Sequence, residues 1–383
     1  MIKTVDNYEL FQCLGKGNYG EVYLTRKDHG KELFATKKMD RKLYQNPNFF
    51  KRLVNELNIL MQVNHPNIVK YVDLKITLNN YYLVTEYING GSLESNLKRY
   101  MSIYHRPFSE EITQYLMKQI VDVVKYLHFN NIIHRDLKLD NILVKYPTEY
   151  DRQNLNLLSC QIKLIDFGFA RTLGDNKLAF TMLGTPYNMD PSILKVINGE
   201  GPNTGYNEKV DIWSLGTLCY EMVVGCSPFR GTCLQDLYQN VKNGDYILPG
   251  SLSEEIVSFI NKMLKQDENQ RADAKRLLSD PFLVNPVSSF HPIDVRKIKA
   301  NYLPGGLISM NSKEPEINKI YYNINNQYDI WTILSQPKNN REALSTNPQI
   351  PNIVYQFQTS GQVQVQQPGM QSYYTNTYPF QYQ

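Results

Sequence analysis

The sequence lacks any run of about eighteen or more apolar residues, the length that a membrane-spanning helix requires. Its charges nearly cancel, because 41 Lys and Arg against 37 Asp and Glu leave a net charge of +4 over 383 residues. So mild an excess does not indicate a nucleic-acid partner. Residues 1–6 also lack the apolar segment of a secretory signal peptide. We therefore expect a cytoplasmic protein with no membrane span and no nucleic-acid partner.

Cysteine and histidine are scarce, with five and six residues respectively. Cys219, Cys226 and Cys233 recur at an even spacing, but Gly225 and Pro228 interrupt any helix that they could share. None of the six histidines has the spacing of a metal ligand set. The sequence therefore indicates neither a zinc site nor a disulfide framework, which suits a reducing compartment.

Charged residues are absent from residues 343–383, where Gln, Asn, Tyr, Pro, Ser and Thr dominate. Such a composition buries too little apolar surface to offset chain entropy, so we expect a disordered low-complexity tail. Residues 284–342 are intermediate in composition. The C-terminal region is open to three interpretations: an inert extension, a segment that binds a regulatory partner or forms condensates, or an autoinhibitor.

The most informative stretch that is present runs from His134 to Leu143. It places the carboxylate of Asp136, the ammonium of Lys138 and the amide of Asn141 within six positions, ahead of an apolar strand. Phosphoryl transfer needs a carboxylate to accept a hydroxyl proton, a cation to steady the phosphate and an oxygen ligand for magnesium. Alone, this pattern would also fit a charged loop on another kind of enzyme.

A glycine-rich loop, Gly15–Gly20, lies between two β-prone runs. Glycines let backbone N–H groups approach phosphates without a Cβ in the way. A dinucleotide-binding site is the competing interpretation, but it requires a helix directly after the glycines. Residues 21–25 instead have the pattern of a strand, which favours a phosphate-binding hairpin.

Downstream of this loop, Ala35 and Lys37 share one face of a predicted strand, because side chains alternate along a strand. Ala35 is small enough to admit a flat purine, and Lys37 can reach its phosphates. Glu56 lies in the following amphipathic helix and can pair with Lys37. Further on, Asp166-Phe167-Gly168 ends an apolar strand, where a carboxylate beside a glycine can bind Mg²⁺.

Together these motifs resemble those of eukaryotic protein kinases, and Lys138 is typical of the serine/threonine kinases. The resemblance covers residues 8–283. It implies an α+β, two-lobed protein kinase fold, with a five-stranded antiparallel sheet and one helix at residues 8–88 and a larger, mainly helical lobe at residues 89–283. The implied activity is ATP- and Mg²⁺-dependent phosphorylation of Ser and Thr hydroxyls on protein substrates.

The resemblance also implies a role for each matching residue. Asp136 is the catalytic base, Lys138 contacts the γ-phosphate, and Lys37 pairs with Glu56. Asn141 and Asp166 are the Mg²⁺ ligands. The backbone of Glu86 to Ile88 would hydrogen-bond the adenine edge. The residues implied to bind ATP are Leu14, Gly15, Lys16, Gly17, Asn18, Gly20, Val22, Ala35, Lys37, Glu86, Ile88 and Leu143.

Two features concern regulation and subfamily. Arg135 precedes the base and can meet a phosphate on Thr181, which we expect to be a phosphorylation site. A polar insert from Tyr146 to Asn156, predicted to be a surface hairpin away from the chemistry, resembles the autophagy-initiating, unc-51-like kinases. Calcium/calmodulin-type and mitotic kinases share much of this pattern.

One departure from the family pattern lies at Asp190-Pro191-Ser192, where kinases carry Ala-Pro-Glu. That glutamate normally pairs with an arginine, which corresponds to Arg271. We expect the loss of this pair to loosen the substrate-binding segment and to leave Arg271 to reach solvent or another acid. Ser192→Glu is expected to raise stability or activity, and no gain would mean that Arg271 already has a partner. The alternative to an active kinase is a scaffold pseudokinase, which would be expected to lack residues such as Lys37, Asp136 or Asp166.

Overall fold

The structure, a computed structural model, describes residues 3–17, 20–172, 188–197, 207–231, 233–244, 246–289, 291, 354–357 and 363–366. It divides into two units, residues 1–313 and residues 314–383. Within the first unit, an antiparallel sheet forms the N-terminal lobe and helices form most of the C-terminal lobe, as predicted. Among the described residues, no helix combines the length and the apolar character needed to cross a membrane.

The N-terminal sheet has six strands in the order β1-β2-β3-β4-β6-β5. Its strands are β1 (Lys3–Val5), β2 (Tyr8–Gly17), β3 (Gly20–Lys27), β4 (Leu33–Asp40), β5 (Tyr71–Ile76) and β6 (Asn80–Glu86). All five predicted strands are present, and β1 is an addition from residues before the predicted lobe. It turns at Asp6, whose φ of 49° suits a tight hairpin, and pairs Val5 with Tyr8. Three residues are too short a run to be detected by strand periodicity.

Helix α1 (Pro47–Gln62) packs across this sheet and carries Glu56 on its buried face. Asn46 caps the helix by accepting a hydrogen bond from the backbone N–H of Asn48, and Pro47 fills the first helical position. Both residue types are favoured there, because the first N–H groups of a helix have no partner within it. The buried face also holds Leu53, Ile59 and Leu60, so the single carboxylate among them is brought towards the interior.

The C-terminal lobe is mainly helical. Its helices are α2 (Leu93–Tyr104), α3 (Glu110–Phe129), α4 (Glu149–Gln153), α5 (Pro191–Ile197), α6 (Lys209–Val224), α7 (Leu234–Asn243), α8 (Glu254–Met263), α9 (Ala274–Leu278) and α10 (Pro281–Val284). Helix α6 is buried on almost every side, which explains its apolar sequence without a polar face. It is the core element against which α3 and α8 pack.

Two short ribbons connect this helical core to the lobe interface. Strand β8 (Ile142–Lys145) pairs with β9 (Gln161–Leu164), and β7 (Ile132–Ile133) pairs with β10 (Arg171–Thr172). The β8–β9 ribbon is joined to the N-terminal lobe by a hydrogen bond from the N–H of Val69 to the carbonyl of Leu164, at 3.0 Å. Because Asn141 directly precedes β8 and Asp166 follows β9, the ribbon brings these two residues to one end.

The insert, residues 146–156, differs from its prediction. It forms helix α4 instead of a hairpin, and Thr148 caps that helix by accepting the N–H of Asp151. Leu155 is buried, and Arg99 of α2 donates to the carbonyls of Arg152 and Gln153 at 3.2 and 2.8 Å. Most residues of the insert are exposed, so the predicted surface location is confirmed, whereas the predicted hairpin is wrong. The insert is a folded part of the C-terminal lobe.

In the second unit the structure describes β11 (Val354–Phe357) and β12 (Val363–Gln366). They pair antiparallel, with Val354 opposite Gln366 and Phe357 opposite Val363. The composition of this region predicts disorder, and the described strands depart from that prediction. In β12, Val and Gln alternate with the period of two that favours a strand, a local pattern that an argument from overall composition leaves out.

Candidate active site

The loop from His134 to Asn141 is held in place by Asp211, a carboxylate on α6 that is fully buried. Its two oxygens accept the backbone N–H groups of His134 and Arg135 at 2.9 and 2.8 Å, and Nε2 of His128 lies 2.9 Å from Oδ2. Although burial opposes ionisation, the contacts with His128 and these N–H groups lower the pKa of Asp211. The rigid core helix therefore fixes the loop that carries the predicted base.

The carboxylate of Asp136 is held by two of the residues predicted to act with it. Nζ of Lys138 lies 3.0 and 3.3 Å from its two oxygens, and Nδ2 of Asn141 donates to Oδ2 at 2.8 Å. Burial raises the pKa of Asp136, while the positive charge of Lys138 opposes that rise. A raised pKa makes a carboxylate a stronger proton acceptor once it is ionised. The structure thus brings Asp136, Lys138 and Asn141 together.

Asn141 and Asp166 present the oxygens that could hold a magnesium ion. Nδ2 of Asn141 is committed to Asp136, which leaves its Oδ1 as the atom for a metal. The carbonyl of Asn141 accepts the N–H of Ile165 at 2.9 Å, so the two candidate ligands are joined through one backbone hydrogen bond. Burial alone would raise the pKa of Asp166, but the charge of Lys37 and the N–H of Gly168 outweigh that effect and lower the pKa. An ionised carboxylate and an amide oxygen suit Mg²⁺, which usually completes its shell with water and phosphate oxygens.

Phe167, the residue after Asp166, helps to fix the position of Asp166 by packing in the core. Its ring is fully buried and meets the ring of His134 edge-on, with centroids 5.0 Å apart. Nε2 of His134 lies 3.2 Å from the carbonyl oxygen of Ile165. The histidine is thus a packing and hydrogen-bonding group of the loop.

Lys37 of β4 and Glu56 of α1 form the predicted ion pair. Nζ of Lys37 lies 3.4 and 3.5 Å from the two oxygens of Glu56, and the glutamate is buried. Burial disfavours the charged lysine, but the carboxylates of Glu56 and Asp166 raise the pKa of Lys37 above its usual range. Burial and the nearby Asp166 raise the pKa of Glu56, opposed by Lys37. The lysine therefore keeps its charge between α1 and the candidate metal ligands.

The glycine-rich loop is the turn of the β2–β3 hairpin, where Gly17 lies opposite Gly20. A Cβ added to Gly20, whose φ is 142°, would lie 2.0 Å from the carbonyl oxygen of Lys38. This position therefore requires glycine. The ammonium of Lys16 lies 2.8 Å from Glu21, in an ion pair whose lysine side chain is largely exposed. Asn18, also predicted to bind ATP, lies outside the described residues.

The residues predicted to line the adenine pocket come from β2, β3, β4, the segment after β6 and β8. Strand pairing places Val22 opposite Lys37, and Ala35 opposite Thr85. Leu14 is 41% exposed, Ile88 is buried, and Val22, Ala35 and Leu143 are half-buried, an apolar set with surface left for a ligand. These residues come from both lobes, as a nucleotide cleft requires.

The Glu86 side chain has a role that the sequence analysis missed, because only its backbone was assigned. Its carboxylate accepts Nζ of Lys163 at 2.6 Å, Nζ of Lys145 at 3.2 Å and the N–H of Lys70 at 3.0 Å. Burial alone would raise the pKa of Glu86, but these contacts outweigh that effect and lower the pKa. The sequence feature that could have revealed this role is Lys163, a charged residue within an apolar strand. Glu86 joins the last strand of the N-terminal lobe to the β8–β9 ribbon.

Arg271 has another acid as its partner, one of the two outcomes expected for an arginine without its glutamate. It is buried, and its Nη1 donates to the carboxylate of Asp190, which lies two residues before Ser192. The predicted loosening of the substrate-binding segment assumed that no such ion pair is present. Of the regulatory residues, Arg135 lies in the anchored loop described above, and Thr181 lies outside the described residues.

Comparisons with known proteins agree with this geometry. The family model described as "Protein kinase domain" matches residues 8–283. The chain is 32% identical to the probable serine/threonine-protein kinase fhkC of Dictyostelium discoideum, over 73% of this chain and 44% of that protein. It is 32% identical to myosin light chain kinase A of the same organism, over 76% of this chain and 92% of that protein. It is 31% identical to the serine/threonine-protein kinase PLK4 of Drosophila melanogaster, over 76% of this chain and 35% of that protein.

The chain therefore spans less than half the length of two of these three relatives. The narrower resemblance to the unc-51-like kinases stays a prediction. The matched region contains the cleft, the anchored loop and both candidate metal ligands. The chain belongs to the protein kinase family and, within it, to the eukaryotic serine/threonine kinases.

Proposed function

We propose that this protein transfers the γ-phosphoryl group of ATP to serine and threonine hydroxyls of protein substrates, with Asp136 as the base. The observation that carries this proposal is the carboxylate of Asp136, hydrogen-bonded to both Lys138 and Asn141. A base must be ionised and oriented before a hydroxyl reaches it. The two contacts orient the carboxylate, and the charge of Lys138 favours its ionised form.

In this mechanism the acceptor hydroxyl gives its proton to Asp136 as its oxygen forms a bond to the γ-phosphorus. The bond from that phosphorus to the ADP oxygen breaks. Lys138 faces the charge that moves with the phosphoryl group, and Lys37, held by Glu56, would bind the remaining phosphates. Protein kinases act mainly by positioning and electrostatic stabilisation, which are the roles that these buried, paired side chains can fill.

A bound magnesium ion would supply positive charge that offsets the negative charge of the ATP phosphates. Asn141 and Asp166 would hold it, since both offer oxygens and the lowered pKa of Asp166 keeps its carboxylate ionised. Among the described residues, no group of three or more His, Cys, Asp or Glu side chains could hold a metal ion. Asp166 and Asn141 offer one carboxylate and one amide oxygen, which substrate phosphates and water would complete.

The competing function is that of a pseudokinase scaffold, which would use the kinase fold to bind partners. Such a protein has no need for a charged Lys37, an oriented Asp136 and an ionised Asp166 in the same cleft. The chain has all three, in contact with the partners that their roles require. This favours an active enzyme.

The test is transfer of labelled γ-phosphate from Mg-ATP to casein by the full-length chain, followed by phosphoamino-acid analysis. We expect label on serine and threonine, and a loss of about 10²- to 10⁴-fold in turnover for Asp136→Asn, the range that general-base catalysis contributes. Asp122→Asn, a half-exposed carboxylate on α3, is the matched control. Equal activity of the wild type and Asp136→Asn would refute the assignment of the base, and binding of ATP without any transfer would favour the scaffold.

A further inference from the structure

The hinge segment, residues 87–92, connects β6 to α2 and is fastened to the start of the insert. Nδ2 of Asn89 donates to the carbonyl of Tyr146 at 3.0 Å, and the N–H of Tyr146 donates to Oδ1 of Asn89 at 2.9 Å. One side-chain amide thus satisfies both backbone groups of Tyr146, as a neighbouring strand would. The hinge segment is therefore joined to residue 146 by two parallel hydrogen bonds.

A second amide joins the same two segments from the side of α2. Nδ2 of Asn96 donates to the carbonyls of Gly90 and Ser92, each at 2.8 Å. Its Oδ1 accepts the hydroxyl of Tyr146 at 2.8 Å. Asn96 and Tyr146 are 3% and 2% exposed. Water cannot easily replace any of these bonds, so the loss of one partner leaves a buried polar atom unsatisfied.

The ring of Tyr146 also lies directly against the hinge backbone. A Cβ added to Gly90 would lie 2.2 Å from the carbonyl oxygen of Val144 and 2.7 Å from the tyrosine ring. No side chain other than hydrogen fits this position without displacing one of them. Next to it, the N–H of Val144 donates to the carbonyl of Gly91 at 2.9 Å. The backbone of residues 90 and 91 therefore rests on β8 and the first residue of the insert.

The insert that supplies Tyr146 is itself held on both sides. Thr148 caps α4, and the carboxylate of Asp151 accepts Nδ2 of Asn156 at 2.7 Å, which closes the segment on itself. Arg99 fastens α4 to α2, the helix that carries Asn96. The hinge segment, the insert and α2 thus form one connected network, with Tyr146 at its centre.

We infer that Tyr146, Asn89 and Asn96 are positioning residues, which hold the hinge backbone in the conformation that binds the adenine base. None of the three is assigned to contact the nucleotide, so each acts through the backbone of residues 86–88, where the adenine edge would bind. The inference rests on the proposed function, because the hinge segment needs a fixed conformation only if the cleft receives a nucleotide.

The test compares Tyr146→Phe with Tyr150→Phe, a matched change at a tyrosine of the same insert that is 73% exposed. The dissociation constants of adenosine and of ATP are measured by calorimetry on the full-length chain. The lost buried hydrogen bond is expected to weaken both ligands by the same factor, about 3- to 10-fold. In steady-state assays the KM for ATP rises by that factor, while kcat and the KM for the protein substrate stay at the values of Tyr150→Phe.

Asn89→Ala is a second variant that tests the inference, because this half-buried side chain can be shortened without opening the core. It is expected to reproduce the equal loss for adenosine and ATP. A purely structural role would lower the unfolding temperature of Tyr146→Phe and leave both dissociation constants equal to those of Tyr150→Phe, which would overturn the inference. A wild-type chain that binds no adenosine would overturn it as well. Binding of adenosine without phosphate transfer would refute only the proposed function.

Discussion

Arg271 and Asp190 form an ion pair in which both side chains are at most 2% exposed. The guanidinium lies over the ring of Trp213, 5.0 Å from its centroid, and its Nε donates to the carbonyl of Lys265 at 2.7 Å. The other oxygen of Asp190 accepts the N–H and the hydroxyl of Ser192 at 2.7 and 2.5 Å. The pair therefore joins the start of α5 to the core of the C-terminal lobe, and each charge has more than one partner.

Because both charges are buried, we predict that Asp190→Ala destabilises the protein by about 3–5 kcal/mol, the usual cost of leaving one member of a buried pair without the other. Urea unfolding at neutral pH measures this loss. Asp122→Asn, on the surface of α3, should stay within about 0.5 kcal/mol of the wild type. A loss below about 1 kcal/mol for Asp190→Ala would mean that Arg271 finds another acid or reaches solvent.

Ser192→Glu should bring no gain in the wild-type background, contrary to the expectation from the sequence. A second carboxylate at this position would repel Asp190 and would remove the hydrogen bond from the Ser192 hydroxyl. In the Asp190→Ala background the same change should recover part of the lost stability and lower the KM for the protein substrate, because a longer side chain from position 192 could reach Arg271. If the double variant is no more stable than Asp190→Ala alone, a carboxylate at position 192 does not restore the buried ion pair with Arg271.

The chemistry of the cleft could be predicted from the sequence because phosphoryl transfer restricts the residue types at each step. Asp136, Lys138 and Asn141 lie within one short loop, so their spacing along the chain already places them together. The pairing of Lys37 with Glu56 could also be inferred, since a strand and the next helix each expose one face. Such local relationships are encoded by periodicity.

The contacts that depend on distant parts of the chain could not be predicted. Asp190 and Arg271 meet only after the helices of the C-terminal lobe have packed, and the hydroxyl of Tyr146 meets Asn96 across 50 positions. Polar composition correctly placed most of the insert on the surface, but it gave no sign that Tyr146 and Leu155 are buried. Two buried side chains are enough to fasten a mainly polar segment to the lobe.

Asp211 offers a test of the anchored loop. An amide at this position accepts only through its single oxygen, so Asp211→Asn should cost about 1.5–3 kcal/mol at pH 7, the value of hydrogen bonds to a charged group. The pKa of Asp211 is lowered in the folded state, so its contribution is complete above the unfolded value of about 3.9 and is lost as pH falls through the folded pKa. The gap in urea midpoints between variant and wild type should therefore narrow as the pH is lowered below about 4. A gap that stays constant down to pH 3 would contradict the ionised anchor.

The pH profile of the phosphotransfer reaction should report on Asp136. Burial raises its pKa, so kcat/KM for the protein substrate should fall on the acid side at a higher pH than an ordinary aspartate would give. Lys138 lowers that pKa, and its removal in Lys138→Met should move the acid limb to still higher pH, besides lowering the rate. Lys125→Met, a partly exposed lysine on α3, is the control. An acid limb at the same pH in Lys138→Met and the wild type would show that another group sets it.

The glycine-rich loop allows a comparison between two glycines of one hairpin. Gly20→Ala would place a Cβ 2.0 Å from the carbonyl oxygen of Lys38, at a φ that L-residues avoid, so the strand end must move. We predict a loss of about 1–3 kcal/mol in stability and a raised KM for ATP. Gly15→Ala has no atom within 4 Å of the added Cβ, and its free energy of unfolding should stay within about 0.5 kcal/mol of the wild type. Thermal unfolding and ATP titration of both variants make the comparison, and equal unfolding temperatures would show that the collision at Gly20 is relieved without cost.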